Sequence, residues 1–195
     1  MAREDKYVIF YAFRLFMGLL LFFGSAFFGI IAPMAYAGFI AILLPVAISL
    51  RLHHLKESGI CFLPKKEENW LVYIQGIPVY EKRTPLINPY FFDKTTLTIF
   101  FQRAFSLKLV SQLVILYFLI KQTLAIQSAW LYISPIFIMP WLLFSTYKTF
   151  RDIQAIHQQN WVIEEYVSPS QSLWYQGFLM KPKVAIDALS RLLSF

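Results

Sequence analysis

The feature that most constrains this chain is an apolar run over residues 15–50, which contains no charged residue and is bracketed by Arg14 and Arg51. At a helical rise of ~1.5 Å per residue, a run of this length would extend for roughly 54 Å. A bilayer core is ~30 Å thick and is spanned by ~20 residues. One straight helix is therefore too long. The weak point at residues 29–33, Gly-Ile-Ile-Ala-Pro, predicts two helices joined as a membrane hairpin.

Composition supports a membrane protein. The chain is 58% hydrophobic and only 15% charged, whereas a soluble domain typically carries about 25% charged residues. The net charge of +7 is compatible with nucleic-acid binding, but the basic residues flank the apolar segments, as the positive-inside rule describes. Nucleic acid is therefore disfavoured as a partner. The single Cys61 excludes an intramolecular disulfide and indicates a free thiol in a reducing compartment.

The hydropathy pattern predicts about four transmembrane helices in two hairpins. They are placed at residues 7–31, 34–53, 104–120 and 129–147, with residues 95–107 lying at the membrane interface before the third. Pro45 lies inside the second helix and should kink it or open its hydrogen bonding. Asp93 is the expected N-cap of the interfacial segment.

The segments between and after the spans predict small local structures. Two β-rich runs around Gln75 and Gly76 predict a short hairpin, and a strand is predicted from Trp161. Pro182 is expected to open an amphipathic C-terminal helix with Ile186 and Leu189 on its apolar face.

The predicted fold class is therefore an all-α integral membrane protein with a small cytosolic β-hairpin-like segment and an amphipathic C-terminal helix. The predicted domains are a leader with the first transmembrane hairpin (1–53), a cytosolic loop with the interfacial helix (54–103), the second transmembrane hairpin (104–147) and a cytosolic tail (148–195).

Counting basic residues predicts the topology. In the four-span arrangement 17 of the 18 lysines and arginines lie on one side, and Lys121 faces the other. The positive-inside rule then places both termini and the central loop in the cytosol, as expected in a bacterial inner membrane.

The two halves of the chain also resemble each other weakly, at an offset of about 100 residues. Each has a basic residue at an apolar exit (Arg51, Arg151), then a histidine, then an aromatic segment that ends in Gln-Gly. The matched residues are few, and both chance and internal duplication stay open.

Candidate chemistry is sparse. His53, His54 and Glu57 could place ligands on one helical face, and His157 with nearby glutamates could add to them. Three histidines are too few for the known membrane di-metal chemistry, so these are weak metal candidates, and no metal or cofactor is expected. Basic residues near membrane depth suit lipid-headgroup contact or anchoring: Arg14, Arg51, Lys108, Lys148 and Arg151.

The aromatic extramembrane segments are too short to bury their own side chains and predict contact with a partner. The residues assigned to this contact are Trp70, Tyr73, Trp161, Trp174, Tyr175 and Leu189. The expected partners are membrane lipid and either other membrane-protein subunits or further copies of the chain.

These features favour a non-catalytic structural or accessory subunit of a multi-protein membrane complex, such as a secretion, conjugation or energy-transducing assembly. Two alternatives stay open. One is a small transporter or channel formed by oligomerisation, and the other is a membrane enzyme acting on lipid.

The predicted topology can be tested with single cysteines placed at Ala2, Gln127 and Ser168. An impermeant thiol reagent applied to intact cells should label the cysteine at 127 and leave the other two unlabelled. Labelling of Ser168→Cys in intact cells would contradict a cytosolic tail.

Overall fold

The computed structural model describes residues 24–27, 29–64, 68–74, 77–83, 86–125, 133–168, 171–180 and 185–194. Within them, residues 24–27 are helical, and four further helices and seven strands follow. The helices are α1 (Ala32–Glu57), α2 (Lys94–Leu124), α3 (Ile133–His157) and α4 (Ala188–Leu193). The strands are β1 (Cys61–Phe62), β2 (Glu68–Ile74), β3 (Ile77–Arg83), β4 (Tyr90–Phe91), β5 (Val162–Val167), β6 (Leu173–Met180) and β7 (Ala185–Asp187).

The predicted all-α class is wrong, because the fold is mixed. A five-stranded antiparallel sheet has the order β1–β4–β6–β5, with β7 paired to β6, and β2 and β3 form a separate hairpin. The predicted hairpin at 70–80 is confirmed, with Leu71 opposite Tyr80. The larger sheet was missed because it joins the central loop to the tail, which are about 80 residues apart in sequence.

Two helices in the described part of the chain, α1 and α2, are long and apolar enough to cross a membrane, against the four predicted. The first predicted span, 7–31, falls mostly outside the described residues, as does the start of the fourth. The described part of the fourth is helical, and α3 carries Pro140 in its interior.

The chain divides into two compact units. The first consists of Met1–Leu43, Leu107–Phe150 and Phe195, and the second of Leu44–Ser106 and Arg151–Ser194. The sheet belongs wholly to the second unit. These boundaries differ from the four predicted segments because α1, α2 and α3 each continue through a predicted boundary.

The path into and along α1 follows from two prolines and a glycine. Gly29 adopts φ +81 and α1 then begins at Ala32 with Pro33 in its first turn, which confirms the predicted break. Residues Phe39–Leu43 form a π-helical segment. It lies just before Pro45, whose ring clashes with the carbonyl four residues back and which offers no N–H. The prediction that Pro45 opens the hydrogen bonding is confirmed.

α1 and α3 end in the same way. After α1, the N–H of Gly59 bonds the Lys56 carbonyl at 3.0 Å and the N–H of Ile60 bonds the Leu55 carbonyl at 3.0 Å. This pair of bonds is the Schellman motif, and Gly59 supplies the required left-handed backbone with φ +70.

One hundred residues later, the N–H groups of Gln159 and Asn160 bond the carbonyls of Ile156 and Ala155 at 3.2 and 2.8 Å. The internal resemblance therefore extends to the helix ends. Of the two Gln-Gly pairs, Gln176 and Gly177 lie in the middle of β6, and Gln75 and Gly76 are outside the described residues.

α2 begins as predicted but continues further. The Asp93 carboxylate accepts the Thr96 N–H at 3.0 Å, so Asp93 is the N-cap. Hydrogen bonds from the backbone N–H groups of Thr96 and Thr95 lower the pKa of Asp93 below its usual value. From this cap α2 continues as one helix of 31 residues, which includes both the predicted interfacial segment and the predicted third span.

The C-terminal helix is shorter than predicted. Residues 181–184 lie outside the described part, and Ile186 belongs to β7 rather than to a helix. α4 has six residues and is N-capped by Asp187, which accepts the Ser190 N–H at 2.6 Å. Its Leu189 and Leu192 are buried, and Arg191 donates to the Asp152 carboxylate at 2.7 Å. α4 is therefore docked on its own chain.

The core of the second unit forms around Gly177. The Trp161 ring, only 7% exposed, lies directly over this residue, and Phe101 meets the same ring at 6.0 Å between centroids. A Cβ built on Gly177 would overlap the Trp161 ring atoms. Only glycine fits here without displacing the indole.

We therefore expect Gly177→Ala to destabilise the protein by about 1–3 kcal/mol through overpacking. A matched control is Gly38→Ala, since a Cβ at Gly38 meets nothing within 4 Å and Gly38 is helical. Thermal unfolding in detergent should give a lower midpoint for the first variant only. An unchanged midpoint for Gly177→Ala would show that Trp161 moves aside freely.

Candidate interaction surface

One face of the five-stranded sheet carries an aromatic side chain from each of four adjacent strands. The register places Phe62 of β1 opposite Tyr90 of β4 and Tyr166 of β5 opposite Trp174 of β6. Because side chains alternate between the two faces of a strand, directly paired residues share a face. Phe92 follows β4 directly. We call these five residues the aromatic face.

The members of the aromatic face touch one another in a continuous row. Ring centroids are 6.4 Å apart for Phe62 and Tyr90, 6.1 Å for Phe62 and Trp174, and 5.2 Å for Tyr90 and Tyr166. Phe92 meets Trp174 edge-on at 6.1 Å. These separations lie in the range in which aromatic pairs attract each other. The row crosses the whole main path of the sheet.

This row is exposed. Phe92 is 62% exposed, Phe62 45% and Tyr166 42%. On the opposite face of the same strands, Phe91 and Cys61 are buried. Contiguous exposed apolar surface of this kind usually marks an interaction site.

Polar contacts hold the aromatic face in place. The Trp174 indole N–H donates to Ser172 Oγ at 3.0 Å. Beside it, Gln176 Nε2 donates to the Asn88 carbonyl and Asn88 Nδ2 donates to the Gly177 carbonyl, both at 2.8 Å. This reciprocal pair is buried and ties the segment before β4 to β6. The face is therefore presented by a rigid scaffold.

A charged pair lies on the opposite side of the sheet. Lys94 Nζ donates to Glu165 Oε1 at 2.8 Å and lies 4.7 Å from the centre of the Tyr175 ring. Tyr175 pairs with Phe91 and with Glu165, so it belongs to the inner face. Both charges of this pair are half-exposed.

The first unit contains a buried polar cluster, formed by Tyr36 of α1, Gln112 of α2 and Ser145 of α3. Gln112 Nε2 donates to Tyr36 Oη at 2.9 Å and to Ser145 Oγ at 3.0 Å, and the two hydroxyls are 3.3 Å apart. The Trp141 ring meets Tyr36 edge-on at 5.7 Å. These three side chains join three otherwise apolar helices.

Gln112 is fully buried, and its Oε1 accepts no hydrogen bond from the described residues. Such a group is costly in an apolar interior, where polar side chains usually bind something or hold helices together. A second glutamine of α2 has the latter role, because Gln122 Oε1 accepts the Ala32 N–H at 3.0 Å and so caps the start of α1.

The residues predicted for partner contact separate into distinct groups. Trp174 is a half-buried member of the aromatic face, and Tyr175 is half-buried on the inner face. Trp161 and Leu189 are buried in the core of the second unit, where packing accounts for them. Trp70 and Tyr73 lie in β2, and their side chains are outside the described part.

The residues predicted for headgroup contact or anchoring differ from one another in solvent exposure. Arg51 and Arg151 are exposed and Lys148 is half-buried, whereas Lys108 is only 3% exposed. A snorkelling lysine should reach an aqueous surface, so the burial of Lys108 fits an interior role instead. Arg14 lies outside the described residues.

The weak metal candidates lie on an open helix surface. His53 Nδ1 is 3.7 Å from Glu57 Oε1, and these side chains are 70% and 66% exposed. His54 is exposed nearby. Within the described ranges, no three His, Cys, Asp or Glu residues are placed to hold one metal ion.

Cys61 is enclosed. Its Sγ donates to the Leu52 carbonyl at 3.4 Å, and burial raises the pKa of the thiol to about 11. At neutral pH the thiol is therefore protonated and a poor nucleophile.

No protein-family model, curated protein or solved structure matches this chain. Its function has to be inferred from the aromatic face and the buried polar cluster.

Sequence reasoning missed most of both sites. Four members of the aromatic face were not singled out, because only the register shows that they meet. The polar cluster did leave a signal, since Gln112 and Ser145 are polar residues inside apolar stretches. Such residues mark functional or assembly sites by default.

The polar cluster can be tested with Gln112→Leu, which removes the donor shared by Tyr36 and Ser145. We expect a loss of about 1–2 kcal/mol of stability in detergent. The matched control is Gln102→Leu, at a half-buried position on the same helix. Combining Gln112→Leu with Tyr36→Phe should cost less than the sum of the single changes. Strict additivity would show that the two side chains are not coupled.

Proposed function

We propose that this protein is a non-catalytic subunit of a multi-protein membrane assembly, held in the bilayer by its apolar helices and bound to its neighbours through the aromatic face. The observation that carries the proposal is that row of five exposed and half-buried aromatic side chains. A soluble monomer rarely leaves so large an apolar surface open.

Membrane insertion is supported by the helices and by the distribution of charge. The apolar windows of α1 and α2 have mean hydropathies of 2.0 and 1.6, and only 28% of each window is buried within the protein. A core helix of a globular domain would be mostly buried. Every Asp and Glu from Glu57 onward lies in the second unit. The proposed location is a bacterial inner membrane with both termini cytosolic, from the positive-inside rule.

A protein partner is supported by the chemistry of the aromatic face. Interface cores are enriched in tyrosine, tryptophan and phenylalanine and depleted in charge. All five members are of these types. Trp174 touches two other members and has its indole N–H bonded, so it has the rigid setting typical of an interface anchor.

A non-catalytic role is supported by the state of the reactive groups. His53 and Glu57 are open to solvent on a helix, without the enclosure that tunes acid–base groups in active sites. Cys61 is enclosed and protonated. Neither arrangement provides an activated nucleophile or a general base.

A small transporter or channel is the second candidate, and the buried polar cluster favours it. Gln112 Oε1, which accepts no hydrogen bond from the described residues, and the hydroxyls of Tyr36 and Ser145 are the kind of groups that contact a polar solute between apolar helices. Uptake of such a solute by vesicles containing only this protein would support this candidate.

The subunit proposal is tested by purification from native membranes in mild detergent. Trp174→Ala should weaken an anchored contact by on the order of 2 kcal/mol, or about 30-fold in affinity, so partners should be lost from the purified complex. The partners are identified by mass spectrometry of wild type and variant side by side.

The matched control is alanine at His53, His54 and Glu57 together, which changes exposed groups near the end of α1 and leaves all five members of the aromatic face in place. This triple variant should assemble and support growth like wild type. An assembled but inactive triple variant would point to chemistry at the helix exit instead. Retention of every partner by Trp174→Ala would contradict the proposed interface.

A further inference from the structure

We infer that the free edge of β5 binds an extended segment of a partner protein that carries a basic residue, which adds one strand to the five-stranded sheet. The surface is the backbone edge of β5 and not the aromatic face, so the inference goes beyond the proposed function and is tested separately from it. In strand addition, main-chain hydrogen bonds provide affinity and side chains provide specificity.

β5 is the last strand on its side of the sheet, and its open edge has a defined hydrogen-bonding pattern. The Ser168 N–H donates to the Ser172 carbonyl at 2.9 Å, so the pair next to the β5–β6 turn is hydrogen-bonded. Because hydrogen-bonded pairs alternate along an antiparallel ladder, Glu164 and Tyr166 direct their backbone groups toward β6. The backbone N–H and C=O groups of the alternate residues point to the open edge, and these residues are Ile163, Glu165 and Val167.

The groups on this edge match an extended polypeptide. They recur every second residue, at intervals of about 6.8 Å, and within the described part of the chain they make no hydrogen bond. A partner strand repeats its own N–H and C=O groups at the same interval, whereas lipid headgroups do not. β5 contains no proline or lysine, and it pairs with β6 without a bulge, so it lacks features that commonly close an edge.

Charge specifies what the added strand carries. Glu164 is exposed and has no ion-pair partner among the described residues, whereas Glu165 is paired with Lys94 on the other side of the sheet. A residue placed opposite Glu164 belongs to a non-hydrogen-bonded pair, and such pairs bring side chains closest together. Because opposite charges at paired positions attract each other, a lysine or arginine of the partner fits there. The phosphates of nucleic acid would be repelled.

The same charges disfavour a second copy of β5 as the added strand. Only the outward residues can form hydrogen-bonded pairs, so the antiparallel registers that use most of the strand place Glu164 opposite Glu164 or Glu165 opposite Glu165. Like charges directly opposite each other are destabilising. The edge therefore discriminates against itself and favours a basic segment.

Apolar side chains lie on both sides of Glu164. Val162 and Tyr166 are each two residues away on the same face, and they are 36% and 42% exposed. The complementary segment therefore presents an apolar, a basic and an apolar side chain at alternate positions on this face.

Peptide binding to protein purified in detergent tests the inference. The probe is a fluorescently labelled peptide, Thr-Val-Thr-Arg-Thr-Val, whose arginine lies opposite Glu164 when its valines meet Val162 and Tyr166. The control peptide has glutamate in place of arginine. Fluorescence anisotropy should show about tenfold tighter binding of the arginine peptide to wild type, because the two peptides differ in the sign of one cross-strand charge pair.

Three variants locate the binding. Glu164→Arg should reverse the preference between the two peptides, whereas Glu57→Arg, which changes an exposed carboxylate on α1, should leave it as in wild type. Val167→Pro removes an N–H that faces away from β6, so the sheet should stay intact while the arginine peptide binds several-fold more weakly.

Amide hydrogen exchange measured by NMR gives a second readout. The arginine peptide should slow exchange at the outward amides of Ile163, Glu165 and Val167. It should leave the amides of Glu164 and Tyr166 unchanged, because these already donate to β6.

Other outcomes would overturn the inference and leave the proposed function standing. Equal affinity for the two peptides, or no binding of either at millimolar concentration, would be of this kind. Binding that is lost in Trp174→Ala but kept in Val167→Pro would place the peptide on the aromatic face instead. Slow exchange at the outward amides of purified protein with the mass of two chains would show that a second copy covers the edge.

The reverse combination is also distinguishable. Arginine-selective binding that Glu164→Arg reverses, together with retention of every native partner by Trp174→Ala, would support the β5 edge and contradict the aromatic face as the interface.

Discussion

The pairing of β6 with its neighbours is the interaction on which the second unit depends. β6 contacts β4, β5 and β7, and thus joins the central loop to the tail. The Asn88–Gln176 bonds and the packing of Trp161 on Gly177 secure this junction from both sides of the strand. Because β4 contributes only two residues, ladder hydrogen bonds are few there, and the buried side-chain bonds supply the specificity that the short ladder lacks.

The first unit depends on buried side-chain hydrogen bonds between its helices. Its helices present mostly apolar surfaces, and apolar surfaces alone discriminate poorly between alternative packings in hydrocarbon. The hydrogen bonds of Gln112 to Tyr36 and Ser145 select one arrangement, because any other would leave three buried polar groups without partners.

Local features were predictable wherever the cause lies within a few residues. Pro33 starts α1, Pro45 follows a π-helical segment, Gly59 ends α1 and Asp93 caps α2.

The prediction of partner-binding residues was less successful, because Trp161 and Trp174 look alike in sequence. The register of β6 places Gly177 under the Trp161 ring and Trp174 in the outer row, so one indole is core and the other surface. That difference depends on strands about 80 residues apart.

The sequence by itself determined the apolar helices and their breaks and caps, because these follow from side-chain chemistry and backbone preference at nearby positions. Only the tertiary structure decided that the loop and tail share one sheet, that Lys108 and Gln112 are interior, and that five scattered aromatic residues form a single surface. The physical reason is that strand pairing and helix contacts join residues distant along the chain. A one-residue change of register would turn each exposed ring inward.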